Sequence, residues 1–200
     1  MKLKLFLFVS IILLFVACTK PQGQVLEVTP TGEGSNATAV LTIDGKQIFE
    51  TQCFIGQNGV GKTREGDKKT PLGEMRVLEA FGILPNPGTS IPYIDVTPSV
   101  FCCDDSNYYN QIIDTAAMHY PSCTGEEMYS YQPHYNYGLT TSYNEEGIEG
   151  LGCCIFVHCK GNNPYTAGCI ALDEDKMREL LVRCDTTLRI IVNPMPECYE

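Results

Sequence analysis

The sequence predicts a mostly-β domain with one helix near its C-terminal end. Two observations point there: short runs rich in β-favouring residues recur between turn residues, and only one segment places apolar residues at helical spacing. The expected strands, in chain order, are "TAVLTID" (38–44), "QIFETQCFI" (47–55), "EMRVLEAF" (74–81), "YGLTTSYN" (137–144), "CCIFVHC" (153–159) and "TLRIIV" (187–192). The helix is "DEDKMRELLVRC" (173–184): Met177, Leu180, Leu181 and Cys184 fall at i, i+3, i+4 and i+7, and Asp173 suits the N-cap.

What precedes the first strand reads as an export signal and a tether. "MKLKLFLFVSIILLFVAC" has a basic start at Lys2 and Lys4, an apolar core from Leu5 to Val16, and a small residue, Ala17, before Cys18. It is short for a spanning helix, although an uncleaved membrane anchor is the alternative. The run "LLFVAC" resembles a bacterial lipobox, whose cysteine is lipidated and becomes the mature N-terminus. The expected organisation is a signal peptide over 1–17, a lipidated Cys18 with a Thr/Gly/Ser/Pro-rich tether over 18–37, a folded domain over 38–194, and a tail over 195–200. The folded part, about 160 residues, is enough for one domain with its own core.

Charge and compartment exclude two classes of partner. The formal net charge is −10, and loss of Lys2 and Lys4 with residues 1–17 makes it −12, so there is no electrostatic footprint for nucleic acid. "GQNGVGKT", Gly56 to Thr63, fits the nucleotide-binding pattern G-x-x-x-x-G-K-[ST]. That pattern needs a helix starting at its lysine, yet "TREGDKKTPLGEMRV" follows, with Gly66, Pro71 and Gly73 in one window. An exported domain also lacks cytoplasmic nucleotide. The stretch is expected to be a turn that binds none.

The chain has eleven cysteines. In an exported protein they can pair as disulfides, with connectivity open. The neighbours Cys102-Cys103 and Cys153-Cys154 have poor geometry for bridging to each other. A zinc site is the other reading of so many thiols, but no C-x-x-C spacing occurs. Buried apolar packing of free thiols is a third.

Chemistry concentrates in "CCIFVHCKGNNPYTAGCIALDEDKMRELL". A strand carries His158, a polar loop follows, and "TAGC" presents Cys169. A thiol nucleophile needs a base within reach, and the small residues Thr166, Ala167 and Gly168 allow backbone amides to approach a reacting carbonyl. This segment resembles the catalytic motif of the YkuD-type L,D-transpeptidase domain: a strand-borne His, a variable loop, then [ST]-x-G-C-[IV], here His158, Thr166, Gly168, Cys169 and Ile170. "GKTREGDKKTPLGEMRVLEAFG", "CCDDSNYYNQIID" and "GEEMYSYQPHYNYGLTTSYN" resemble further signatures of one branch of that family.

The resemblance implies a mixed-sheet, sandwich- or barrel-like β fold and a reaction on peptidoglycan stem peptides. Cys169 attacks the bond between stem residues 3 and 4, and His158, oriented by a backbone carbonyl, is the base. Amides around Gly168 and Cys169 hold the oxyanion, and Thr166 supports the motif. An amine resolves the thioester, or water does, in which case the enzyme is an L,D-carboxypeptidase. A carbapenem traps such a thiol as a thioester. No metal or organic cofactor is implied, and the compartment is the cell envelope, with the membrane reached through the lipid on Cys18. Two departures stand out: Ala171 occupies the position where many members carry Arg, with Arg64 as a candidate replacement in substrate binding, and Cys159 directly follows the His. Tyr137, in a tyrosine-dense stretch, is a second candidate for contacting substrate; packing within the sheet is its other reading. His119 and His134 read as surface or loop residues that lie at most near the cleft. A non-catalytic, disulfide-stapled wall-binding lipoprotein is the alternative to an enzyme.

Overall fold

The computed structural model describes residues 23–32, 34–118 and 123–196. The signal peptide, Cys18, His119 and Cys198 lie outside them. Among the described residues, twelve strands and one α-helix form in the order β1 (Gln24–Pro30), β2 (Asn36–Ile43), β3 (Lys46–Phe54), β4 (Gly73–Gly82), β5 (Tyr93–Asp95), β6 (Val100–Cys103), β7 (Ile112–Asp114), β8 (Gly125–Glu127), β9 (Gly138–Thr141), β10 (Phe156–Cys159), β11 (Ile170–Leu172), α1 (Glu174–Arg183) and β12 (Arg189–Val192). Two 3-10 turns, Met128–Ser130 and His134–Asn136, lie between β8 and β9. Among the described residues, no helix is long and apolar enough to cross a membrane.

Nine strands make one sheet in the order β12-β1-β2-β3-β11-β10-β9-β4-β5. The long β4 also pairs with β12, Gly73 opposite Val192 through Arg76 opposite Arg189, so the sheet closes on itself as a barrel. Closure leaves few unpaired edges. Leu26, Leu41, Leu139, Val157, Ile170 and Ile190 fill the interior. The helix plugs it with Met177, Leu180 and Leu181, all fully buried, each contributing about 1.5–3 kcal/mol. Asp173 is the N-cap residue, but its side chain caps no amide; it pairs instead with Lys160 Nζ at 3.0 Å.

The expected strands are present; β4 is longer than its run, β2 and β3 begin earlier, and β9, β10 and β12 are shorter. "YGLTTSYN" is a strand only over β9, because the chain turns at Ser142–Asn144. "CCIFVHC" is a strand only over β10, because Cys154 has φ +56°. The tether over 18–37 is corrected: β1 runs through it, paired with β2 antiparallel and with β12 in parallel, and buries Leu26 and Val28 completely. β1 fills the gap that would otherwise leave the barrel open.

A second, three-stranded sheet, β7-β6-β8, packs outside the barrel. Phe81, Val100, Cys102, Met128, Tyr135 and Phe156 form a separate core in the seam, and Cys169 lies within it. The disulfide Cys102–Cys154 fastens the small sheet to the barrel, and Cys103–Cys123 fastens it to the segment before β8. Neither adjacent pair bridges to itself. The ligand-type atoms of Cys103, Asp105 and Cys123 lie within 4.8 Å of one another, but the two sulfurs are bonded to each other and present no thiolates to a metal.

Candidate active site

Strand alternation places His158. Val157 and Cys159 point into the barrel interior, so Phe156 and His158 point to the seam. The His158 Nδ1 lies 2.8 Å from the Cys159 carbonyl. A carbonyl only accepts, so Nδ1 carries the hydrogen and Nε2 keeps its lone pair. Tyr135 and His134 meet the ring edgewise at 5.6 Å and 5.9 Å. Burial drives the His158 pKa down to about 4, against the pull of the Cys159 hydrogen bond and with a small contribution from His134. The imidazole is neutral at pH 7 and free to accept a proton.

Cys169 sits at the end of the loop that joins the parallel strands β10 and β11. The Thr166 hydroxyl donates to the Cys169 carbonyl at 2.7 Å and accepts from the Gly168 amide at 3.1 Å. Gly168 has φ +148°, and a Cβ there would lie 2.9 Å from the Lys69 carbonyl, so only glycine fits. The Gly168 amide is thus engaged by Thr166. The Cys169 amide is the neighbouring candidate donor for an oxyanion. The Sγ of Cys169 accepts the Phe156 amide at 3.3 Å and donates to the Cys154 carbonyl at 3.2 Å. Burial, then Glu126, pushes its pKa up to about 12, opposed by the Phe156 amide and Lys62. Cys169 therefore rests as a neutral thiol on the Cys154 carbonyl.

Two cavities meet at this sulfur. One, of about 280 Å³, is lined by His158, His134, Tyr135, Tyr165 and Thr166. The other, of about 450 Å³, is lined by Lys62, Glu65, Asp104, Gly152 and Cys153. Cys169, Glu126, Tyr131 and Ala167 line both. The Cys154 carbonyl that holds the thiol is itself fixed by the disulfide to Cys102 and by a 2.8 Å hydrogen bond from the Cys154 amide to the Asn110 side chain.

Residues 56–70 form a buttress for this turn. The Gln57 amide donates to the Thr166 carbonyl, the Thr166 amide to the Ile55 carbonyl, and the Thr70 hydroxyl reaches the Cys169 carbonyl at 3.4 Å. Gly56 abuts the Lys68 carbonyl, where any Cβ would clash. The amides of Asn58, Gly59 and Gly61 all donate to carbonyls of this same loop, and no helix follows Lys62. Phosphate would have to displace those bonds. Titration with Mg-ATP is expected to show no saturable binding at micromolar concentration; binding abolished by Lys62→Ala would contradict this.

The Lys62 ammonium pairs with Asp67 at 3.0 Å, with only 3% and 9% of the two side chains exposed. Burial opposes ionisation of Asp67, but the amides of Thr63, Lys69 and Arg64 and the Lys62 ammonium outweigh it and hold the carboxyl far below its usual range. Asp67→Ala would leave Lys62 buried without its counter-ion, a loss of about 3–5 kcal/mol. Urea unfolding of the variant is expected to show that loss, with slower reaction at Cys169 because Asp67 holds the Thr63, Arg64 and Lys69 amides of the loop that ends at Thr70.

Other expected site residues fall elsewhere. Arg64 is exposed and lines neither cavity; Lys62 faces the site instead. Tyr137 is 7% exposed within the barrel core, so packing wins over substrate contact. His134 is more than a surface residue: its Nδ1 is buried without a hydrogen-bond partner beside the cleft. Ala171 is buried opposite both His158 and Phe54 in the sheet. Glu126, Tyr131 and Tyr135 were recognisable in sequence only as parts of "GEEMYSYQPHY", because nothing local marks them as facing Cys169.

The described residues form a closed β-barrel that carries a strand-borne imidazole and a thiol in a glycine turn. Residues 34–192 match the YkuD family, the L,D-transpeptidase catalytic domain, and the chain belongs to that family. Among solved structures it is similar to the helical cell shape determining protein Pgp2 from Campylobacter jejuni, at 17% identity and TM-score 0.46, covering 88% of this chain and 49% of that one. A mutant of Pgp2 gives 19% identity and TM-score 0.48, with 88% and 48% covered. Bd1075 of Bdellovibrio bacteriovorus gives 14% and 0.44, with 87% and 49% covered. The chain spans about half the length of these proteins. No curated protein matches it.

Proposed function

We propose that this chain is a cysteine-dependent L,D-transpeptidase acting on peptidoglycan stem peptides in the cell envelope, tethered by lipid on Cys18 after removal of residues 1–17. One observation carries the reading: His158, with its Nε2 unprotonated, and the Cys169 thiol line the same cavity. As the Cys169 sulfur attacks the carbonyl between stem residues 3 and 4, His158 Nε2 takes the thiol proton. The amide of Cys169 stabilises the oxyanion. Collapse breaks the C–N bond, the imidazolium gives its proton to the departing amine, and a thioester remains. The acceptor amine then forms the new amide and releases the thiol. Arg64 and Tyr137 have no part in this reading.

Incubation of the purified chain with a tetrapeptide-stem muropeptide, read by mass spectrometry, tests it. The expected result is loss of the terminal residue with appearance of a cross-linked product. An unchanged muropeptide would return the chain to the role of a wall-binding lipoprotein, and hydrolysis without transfer would make it an L,D-carboxypeptidase.

A further inference from the structure

The two cavities that meet at Cys169 differ in chemistry. The His158 side is walled by aromatic rings, with the buried, unpartnered Nδ1 of His134 beside it. It suits the uncharged backbone of a peptide. The other side carries the carboxylates Glu65, Asp104 and Glu126 against Lys62 and Lys68. Lys62 is already neutralised by Asp67, so the wall is anionic. Glu126 belongs to both cavities and so stands where donor and acceptor must meet. The Tyr135 hydroxyl donates to it, and Tyr135 is itself 3% exposed and packed against His158. The carboxylate is thereby held in place from the same side as the base.

We propose that Glu126 is a further catalytic residue, the group that receives the acceptor ammonium from the Lys62–Asp104 cavity and takes its proton before attack on the Cys169 thioester. This rests on the acyl-transfer reading above and assigns its two cavities: the stem-peptide donor on the His158 side, a primary ammonium on the other.

The protons balance. An ammonium R-NH3+ gives one proton to the Glu126 carboxylate and becomes R-NH2. Its nitrogen forms the C–N bond to the thioester carbonyl carbon, and the tetrahedral adduct passes a second proton to neutral His158. Collapse breaks the C–S bond, and the Cys169 sulfur regains a proton from the imidazolium. Glu126 returns its proton to water. Burial raises the Glu126 pKa, which Asp104 reinforces and Tyr135 opposes, and a carboxylate so shifted is a stronger base than one in water. The same negative charge disfavours the Cys169 thiolate, which suits a sulfur that must leave as thiol.

The test separates acylation from transfer. The full chain is given a tetrapeptide-stem muropeptide as donor and either a tripeptide-stem muropeptide with a free side-chain amine or hydroxylamine as acceptor. Mass spectrometry reads the acyl-enzyme, the transfer product and the hydrolysis product. Hydroxylamine is already uncharged at physiological pH and needs no base to unmask it. Glu126→Gln is expected to lower transfer to the cationic amine about 100-fold more than it lowers transfer to hydroxylamine, both measured per acyl-enzyme formed. Tyr135→Phe, which keeps the carboxylate but loosens it, is expected to fall between. Equal loss with both acceptors would mark a merely structural role and overturn the assignment, as would unchanged transfer to the cationic amine in Glu126→Gln. Failure of the wild-type chain to form any acyl-enzyme would instead overturn the acyl-transfer reading, and this inference with it.

Discussion

Cys169→Ala is expected to abolish both tetrapeptide processing and the covalent carbapenem adduct, a loss on the order of 10⁶-fold, because no other group can form the acyl intermediate. Thiol acidity does not single this residue out. Cys53, Cys153, Cys159 and Cys184 are the other free thiols among the described residues, and burial pushes each of them to about 12, as it does Cys169. What separates Cys169 is a cavity shared with His158. Cys53, Cys159 and Cys184 are sealed in the barrel core, and Cys153, half-buried, donates to Glu65 rather than to an imidazole. One adduct mass on the intact chain, mapped to Cys169 and absent from the alanine variant, is the expected outcome. An adduct on Cys153 or Cys159, or retained activity in the variant, would overturn the assignment.

His158→Ala is expected to slow acylation by about 10²–10⁴-fold, because a neutral thiol with no base attacks poorly. Cys159→Ala, on the opposite face of β10, is expected to leave acylation nearly unchanged. The wild-type pH profile carries a further signature. With the native imidazole pKa near 4, acylation should hold steady from neutral pH downward and fall only as the pH passes through about 4, well below the ordinary 6.5 of a free histidine. Stability follows the same group. The native state keeps His158 neutral down to about 4, whereas the unfolded chain protonates near 6.5. Between those values the unfolded state binds more protons, so stability rises with pH across that window. The contribution is on the order of 3 kcal/mol. Urea unfolding between pH 4 and 6.5 should show a shallower slope in His158→Ala; an identical slope would mean that the imidazole is not buried neutral.

The elements legible in sequence were those whose signal is local. α1 declared itself by the spacing of Met177, Leu180 and Leu181, and β2, β3, β4 and β12 by runs of β-favouring residues between turns. β1 was hidden because "QVLEVTP" is flanked by Gly and Pro and its partners lie in β2 and in β12, far along the chain. The small sheet was hidden for a related reason: β6, β7 and β8 have only three or four residues each, too few to show a period. Gly56–Thr63 shows the reverse error of local reading. Its residues satisfy a phosphate-loop pattern, while their amides are spent on the loop's own carbonyls and on Thr166.

The sequence by itself determined the candidate nucleophile and base, the glycine that their turn requires, and the acidic character of the chain. These depend on residue type and short spacing. Only the tertiary structure decided what those residues face. It closed the barrel through β1 and β12, set the Cys154 carbonyl under the thiol through a disulfide spanning 52 residues, and brought Glu126 and Tyr135 to the same sulfur. It also decided that thiol and imidazole rest uncharged, because protonation depends on burial and on neighbours across the seam, and neither is written in the order of residues along one strand.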